Sequence, residues 1–254
     1  MNEFLRLPLA VFAFSLVALW LAVRVGIFFG GKRTDATKEG RQDLDLVTGA
    51  CLTLLAFIIG FSFSMAVSRY DQRKNNEEEE ANAIGSEYVR ANLLTAVDAQ
   101  NVQHLLIQYL DQRVLFYIVR NADQLQTIQG TTAGLQKQMW AVVQGVAQKQ
   151  PTPVIALTVS GMNDVLNRQG YTPAAWLNRI PIGAWCLMLV LAICCSAMIG
   201  YGARQRSRLL FAVLPFLLSI AFFLIADIDS PRHGVIRVTP QNLMSLSQSP
   251  HESN

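Results

Sequence analysis

Residues 44–67 read LDLVTGACLTLLAFIIGFSFSMAV, an apolar stretch in which Asp45 is the one charged side chain. A helix needs about 20 consecutive apolar residues to cross the hydrocarbon core of a bilayer, so this stretch can span a membrane. Three further segments meet the same requirement, at residues 7–30, 180–202 and 209–226. The sequence therefore predicts an all-α, four-span integral membrane protein.

The overall composition agrees with a chain that is largely in contact with lipid. Of the 254 residues, 52% are hydrophobic and 15% are charged, whereas soluble proteins carry about 25% charged residues. The formal net charge of +3 is too small to indicate nucleic-acid binding. The composition excludes an ordinary cytosolic enzyme and a disulfide-built secreted module, and it makes the lipid bilayer the first expected partner.

Motifs for catalysis, for cofactors and for metals do not occur in the sequence. The four cysteines lie inside apolar runs without CxxC spacing, where a thiol behaves as a small apolar side chain. The three histidines are isolated from one another, and neither HExxH nor GxSxG nor a phosphate-binding glycine loop is present. We therefore predict that the protein is not an enzyme and has no catalytic residues, no cofactor and no metal site.

The first apolar segment is predicted to be a retained span rather than a cleaved signal peptide. No small-x-small cleavage site follows it, and further apolar residues follow Arg24, its one charged residue. We expect the long Arg24 side chain to snorkel to the membrane surface, with pairing to an interior acid as the alternative.

The segment between the second and third spans, Ser68–Arg179, carries as many acidic as basic side chains. Its apolar residues recur at helical spacing in four stripes, which begin at Ala81, Val102, Leu135 and Ile155. We expect an extramembrane helical domain with breaks near residues 121–134, 150–153 and 170–173.

The second span is expected to continue into this domain as one helix. No proline lies between Pro8 and Pro151, so nothing interrupts a helix that runs through Ser68 to about Leu94. The acidic run Glu77–Glu80 is interpreted as a solvated face of that helix. The predicted organisation is a first transmembrane pair (1–67), the helical domain (68–179), a second transmembrane pair (180–226) and a short polar tail (227–254).

Two short motifs carry a resemblance to a known family. The first follows the second span and reads SRY at 68–70, then Arg73, then EANAIG at 80–85. The second follows the fourth span and reads DIDSPR at 227–232, with IRV at 236–238. Together with the order of two spans, a helical insert, two spans and a tail, they resemble the bacterial branch of the bestrophin-like domain-of-unknown-function family.

The resemblance implies a multi-pass protein of the bacterial inner membrane. Bestrophins themselves are pentameric anion channels with a helical domain between spans two and three, which lies in the cytoplasm. In the present sequence, Lys and Arg residues are shared almost evenly between the two sides of the membrane. The greater weight of short loops would place the domain outside, so the side of residues 68–179 stays open.

The second span has a face of small residues that predicts either close helix packing or a pore. At 100° per residue these residues fall within an arc of about 120°, which lets backbones approach closely or leaves room for an ion. The third span carries a series that could be the partner in such packing, Ala192, Ser196 and Gly200. Together with the two Phe residues that border the face of the second span, the pore-lining candidates are Gly49, Thr53, Ala56, Phe57, Gly60, Phe61, Ser64 and Ser68.

Charged residues near the ends of the second and fourth spans form a second candidate site. They either attract ions at a pore mouth or hold the span ends together as a latch, with carboxylates pairing with arginines or with backbone N–H groups. A divalent cation held by the two aspartates is the alternative to the latch. The residues are Arg69, Arg73, Asp227, Asp229, Arg232 and Arg237.

Two function classes follow from the sequence and the resemblance. The first is a homo-oligomeric ion channel that conducts an inorganic anion. The alternative is a non-conducting membrane scaffold or sensor whose helical domain binds a partner. A ring of subunits with span two facing its axis favours the channel, whereas a monomer or a tight dimer favours the scaffold.

Overall fold

The computed structural model describes residues 7–30, 38–202 and 210–248, and every regular element in these ranges is helical. In chain order the helices are α1 (Pro8–Gly30), α2 (Lys38–Arg90), α3 (Ala96–Ile118), α4 (Ala122–Lys149), α5 (Pro153–Leu177), α6 (Ile182–Gly202), α7 (Leu210–Asp229) and α8 (Gln241–Gln248). The all-α prediction is confirmed for this part of the chain. The first residue of the predicted fourth span, Leu209, and the end of the tail lie outside the described residues.

Among the residues that the structure describes, four helical stretches are long and apolar enough to cross a bilayer, which confirms the predicted count of spans. Their apolar parts are α1, the first part of α2, α6 and α7. Helix α7 extends three residues beyond the predicted end of the fourth span. Asp227 and Asp229 therefore lie in its last turn rather than in a following loop.

Helix α2 is unbroken over 53 residues. It passes through Ser68 without interruption and ends at Arg90, four residues before the expected limit. A single 3₁₀ turn, Ala91–Leu93, follows it, and the extended backbone of Leu94 ends the helical path.

Of the three expected helix breaks, one is absent, and another, expected near residues 121–134, lies at residues 119–121. Helix α4 begins at Ala122, because the side chain of Asn121 accepts a hydrogen bond from the backbone N–H of Asp123 (2.8 Å) and caps the first turn. Helix α5 continues through Pro173 to Leu177, since buried residues on either side of the proline anchor it. The break at residues 150–152 is present as expected, and Thr152 caps α5 there.

The described residues form two compact units. The first takes residues from Met1–Tyr70 and Arg179–Arg237, and in it α1 packs along α6 and α7. The small side chains of α1 and α6 allow this packing, because a Cβ atom at Gly26 or at Gly200 would overlap the backbone of the facing helix. The buried core of this unit includes Leu19, Leu55, Met188, Cys195, Phe222 and Ile225.

The second unit takes residues from Asp71–Asn178 and Val238–Asn254. In it α3 packs against α4 and α8, and α4 packs against α5. Residues from all four predicted stripes are buried, among them Ile84, Leu106, Met139 and Met162. Aromatic rings close one side of this core, with the ring centroids of Phe116 and Trp176 5.1 Å apart.

Candidate functional site

The small-residue face of α2 is left uncovered by the other residues that the structure describes. All eight pore-lining candidates, from Gly49 to Ser68, are exposed, and Phe57 and Phe61 reach 71% and 64% exposure. A Cβ atom built at Gly49 or Gly60 would meet nothing within 4 Å. The face is therefore open to lipid, to water or to another copy of the chain.

The opposite side of α2 holds the helix to the first unit. Leu55, Ser62 and Ala66 are at most 2% exposed, and at 100° per residue they lie across the helix from Gly60. Only 17% of the apolar membrane-spanning part of α2 is buried, whereas the corresponding parts of the other three candidate spans are 28–39% buried. One side of helix α2 is thus buried against the core of the first unit, whereas the opposite side is exposed.

The small series of α6 packs against α1. Ala192 and Ser196 are fully buried, and Gly200 approaches the carbonyl oxygen of Val23. The expected pairing of this series with the small face of α2 is wrong, because the series packs on α1 while the face of α2 is exposed. The reason is that Gly26 and Gly30 give α1 a complementary small surface, which the apolar pattern of the first span does not reveal.

The two aspartates at the end of α7 each hold a neighbouring backbone segment. Asp229 accepts hydrogen bonds from the N–H of Ile180 at 3.2 and 3.3 Å, and its Oδ1 lies 3.6 Å from Nη1 of Arg69. Asp227 accepts bonds from the N–H groups of Val235 (2.7 Å) and Ile236 (2.8 Å). Both carboxylates are nearly fully buried, so these contacts are the ones expected of a latch.

The other arginines of the predicted set have different surroundings. Arg73 belongs to the second unit and is 1% exposed, so its guanidinium is not on the surface of the single chain. Arg232 and Arg237 are half-buried in residues 230–237, the segment after α7 that we call the strap. This strap runs close to α7, because a Cβ atom at Gly234 would overlap the carbonyl oxygen of Asp227.

The acidic run Glu77–Glu80 is not the solvated face that the sequence suggested. Glu77 is 1% exposed, and its carboxylate accepts bonds from Asn242 Nδ2 (2.7 Å) and from the N–H of Leu243 (2.9 Å) at the start of α8. Glu78 and Glu79 are exposed, whereas Glu80 is fully buried. The interpretation fails because consecutive helix residues point in different directions, and α8 and α3 cover two of them.

Glu80 belongs to a buried polar cluster that sequence reasoning missed. Both Nε and Nη2 of Arg113 donate to its carboxylate, and the hydroxyl of Thr172 donates to Oε2 at 3.2 Å. Arg113 is 1% exposed, and the neighbouring charge of Glu80 raises the pKa of its guanidinium despite the opposing effect of burial. The available signal was the position of Arg113 four residues after Tyr109, within the second apolar stripe.

Glu87, in the last turn of α2, is a second acid that the sequence did not single out. It is fully buried. Burial raises the pKa of its carboxyl from 4.5 to about 8, with Arg90 acting in the opposite direction and Asp164 adding to the rise.

An open polar cavity of about 340 Å³ lies in the second unit, between α2 and α5. The ion pair between Glu79 and Arg168, whose side chains are about half exposed, forms part of its wall. The amide of Asn76 donates to the carbonyl of Tyr171 at its edge (3.4 Å). The cavity offers hydrogen-bond donors and acceptors rather than an apolar surface.

The structure brings no metal-binding set together in the part of the chain that it describes. No group of three His, Cys, Asp or Glu side chains in residues 7–30, 38–202 and 210–248 has the arrangement that a metal ion needs. The cysteines Cys51, Cys186, Cys194 and Cys195 are all free thiols.

The apolar helices and the helical second unit define a multi-span helical membrane protein. The family model of the Bestrophin-like domain matches residues 9–243. The chain belongs to the Bestrophin-like family, which confirms the resemblance carried by the SRY and DIDSPR motifs.

Solved structures show the same fold at low sequence identity. Two crystal structures of a bacterial bestrophin homologue from Klebsiella pneumoniae, each carrying a mutation, are both 11% identical to this chain. One covers 95% of this chain with a TM-score of 0.65, the other 93% with a TM-score of 0.63, and 98% of each homologue chain is matched. No curated protein sequence matches.

Proposed function

We propose that this chain is the subunit of a homo-oligomeric channel for inorganic anions in a bacterial inner membrane. The observation that carries the proposal is the bare small-residue face of α2, from Gly49 to Ser68, on a helix whose opposite side is anchored in the core. Further support comes from the bestrophin-like fold. The second unit, residues 71–178 with the tail, would then be the extramembrane domain.

The face has the chemical features that an ion pathway needs. Glycine, which lacks a side chain, and alanine leave room around the axis of an oligomer. The hydroxyls of Thr53, Ser64 and Ser68 can replace part of the hydration shell of an ion. The exposed rings of Phe57 and Phe61 would narrow the pathway at its apolar centre, where a constriction can gate by expelling water.

The charges near the end of the face favour anions only modestly. Arg69 directly follows Ser68, but its charge is partly neutralised by the ion pair with Asp229, and Arg73 is buried. Glu77 and Glu80 are also buried, whereas Glu78 and Glu79 are exposed, so half of the acidic run still opposes an anion at this end. Any attraction of anions by Arg69 is screened over about 8 Å at physiological salt.

The proposal is tested by chloride flux from liposomes that contain the purified full-length chain. We expect chloride release above that of empty liposomes, and a higher rate for Phe61→Ala, because removal of the ring widens the constriction. Phe29→Ala is the matched control: Phe29 is similarly exposed (60%) but lies on α1, so this variant should leave the flux unchanged.

Chloride release equal to that of empty liposomes, with Phe61→Ala equally silent, would reject the channel. The alternative of a non-conducting scaffold or sensor is favoured by the polar cavity beside Glu79 and Arg168, which could receive part of a partner. The subunit stoichiometry in lipid discs separates the two functions, because a closed ring is needed only for the pore.

A further inference from the structure

The carboxylate of Glu87 is buried without the hydrogen bonds that an ionised acid needs. It is fully buried, and within the described residues neither Oε1 nor Oε2 has a hydrogen-bond partner. The nearest cation is Nη1 of Arg90, 4.0 Å from Oε2, on a side chain that is 42% exposed. Burial of an unpaired charge is costly, so such a group is expected to take up a proton.

The packing of α5 against α2 explains why no donor reaches this carboxylate. A Cβ atom at Gly161 of α5 would overlap both Oε2 of Glu87 and Nη1 of Arg90. The carboxyl group therefore occupies the space of a missing side chain, against a helix whose backbone N–H groups are already used. One turn earlier, on the same face of α5, the hydroxyl of Thr158 is likewise buried with no partner among the described residues.

The charged groups around Glu87 act in opposite directions. Arg90 on α2 favours its ionised form, whereas the exposed Asp164 on α5 disfavours it. The 3₁₀ turn Ala91–Leu93, which packs against α3 and α5, carries no charged side chain, and no charge of α3 contributes to the shift.

We propose that Glu87 is a proton-binding site that controls the contact between the end of α2 and the Gly161 region of α5. With its proton bound, the neutral carboxyl stays in the space above Gly161. When the proton leaves, the carboxylate is released to water, and this release requires local separation of the two helices. The inference concerns the second unit and does not depend on whether the protein conducts ions.

The sign of the pH dependence follows from the two protonation states. The carboxyl has a pKa of about 8 in the closed contact and the ordinary value of 4.5 when released. Between these pH values the closed contact binds a proton that the open one does not, so closure weakens as the pH rises. Closure is strongest below pH 4.5, and opening becomes about tenfold more favourable per pH unit until it levels off near pH 8.

Hydrogen exchange of the full-length protein in lipid discs, between pH 6 and 9.5, tests this inference. After correction for intrinsic exchange rates, the protection of residues 158–165 should fall about tenfold per pH unit and become constant above pH 8. In Glu87→Gln, whose side chain stays neutral, protection should not depend on pH. Residues 139–146 of α4, in the core of the same unit, provide the internal control.

Two charge variants keep the test decisive even where Glu87→Gln does not fold. Asp164→Asn removes a like charge and lowers the pKa of Glu87, so the pH above which protection is constant should be lower. Arg90→Gln removes the opposite charge, so that pH should be higher. The inference is overturned if the wild-type chain and Glu87→Gln show the same pH dependence. It is also overturned if the onset stays in place in both charge variants.

Discussion

Adjacent residues of α2 form two ion pairs in contrasting environments, and their removal should have very different effects. Glu80 pairs with Arg113 where both side chains are at most 1% exposed, and Glu79 pairs with Arg168 where the side chains are 49% and 43% exposed. We consider Arg113→Met and Arg168→Met, which remove the cation and keep an apolar stem of similar length.

The structure sets the size of the two effects. Without Arg113, the fully buried Glu80 keeps the hydroxyl of Thr172 as a donor (3.2 Å) among the described residues. An uncompensated buried charge of this kind costs about 3–5 kcal/mol of unfolding free energy. The loss of an exposed pair such as Glu79 with Arg168 costs about 0–1 kcal/mol, because water solvates the carboxylate that remains.

Thermal unfolding of the full chain in detergent, followed by tryptophan fluorescence, measures the difference. At about 2–4 °C per kcal/mol for a chain of this size, Arg113→Met should lower Tm by about 6–20 °C and Arg168→Met by at most about 4 °C. The double variant Glu80→Leu with Arg113→Met should recover much of the loss, since it removes both charges from the core. Equal decreases in Tm for the two single variants would refute the reasoning, as would a double variant less stable than Arg113→Met.

The remaining predictions concern the first unit. Asp227→Asn should lower Tm, because the amide accepts the two N–H bonds of the strap less well than a carboxylate does; a calcium- or magnesium-dependent change in Tm that disappears in this variant would contradict the latch. Gly200→Val should prevent stable packing of α1 on α6, because its side chain overlaps the backbone at Val23. Gly49→Val, on the uncovered face of α2, should leave the folding yield in detergent unchanged, and an equal loss of yield for both glycine variants would contradict this packing.

The membrane-spanning helices could be predicted from the sequence because length and apolarity alone decide whether a helix can cross a bilayer. The four apolar stripes that predict the helices of the second unit could also be found in the sequence, because a helix with one buried face repeats its apolar residues every three or four positions. The unbroken α2 followed from its lack of proline. Its small-residue face was visible in the spacing from Gly49 to Ser68, but its exposure was not.

Contacts between residues distant in the sequence decide which charged side chains are buried and which helices pack together. Glu77 and Glu80 resemble their exposed neighbours Glu78 and Glu79 in sequence, and they differ because Leu243 and Arg113, far along the chain, approach one side of α2. The same holds for α6, whose small residues could have packed on any helix. Local sequence sets the helices and their apolar faces through backbone and side-chain preferences, whereas the burial of a charge depends on which face another helix covers, and only the tertiary structure decides that.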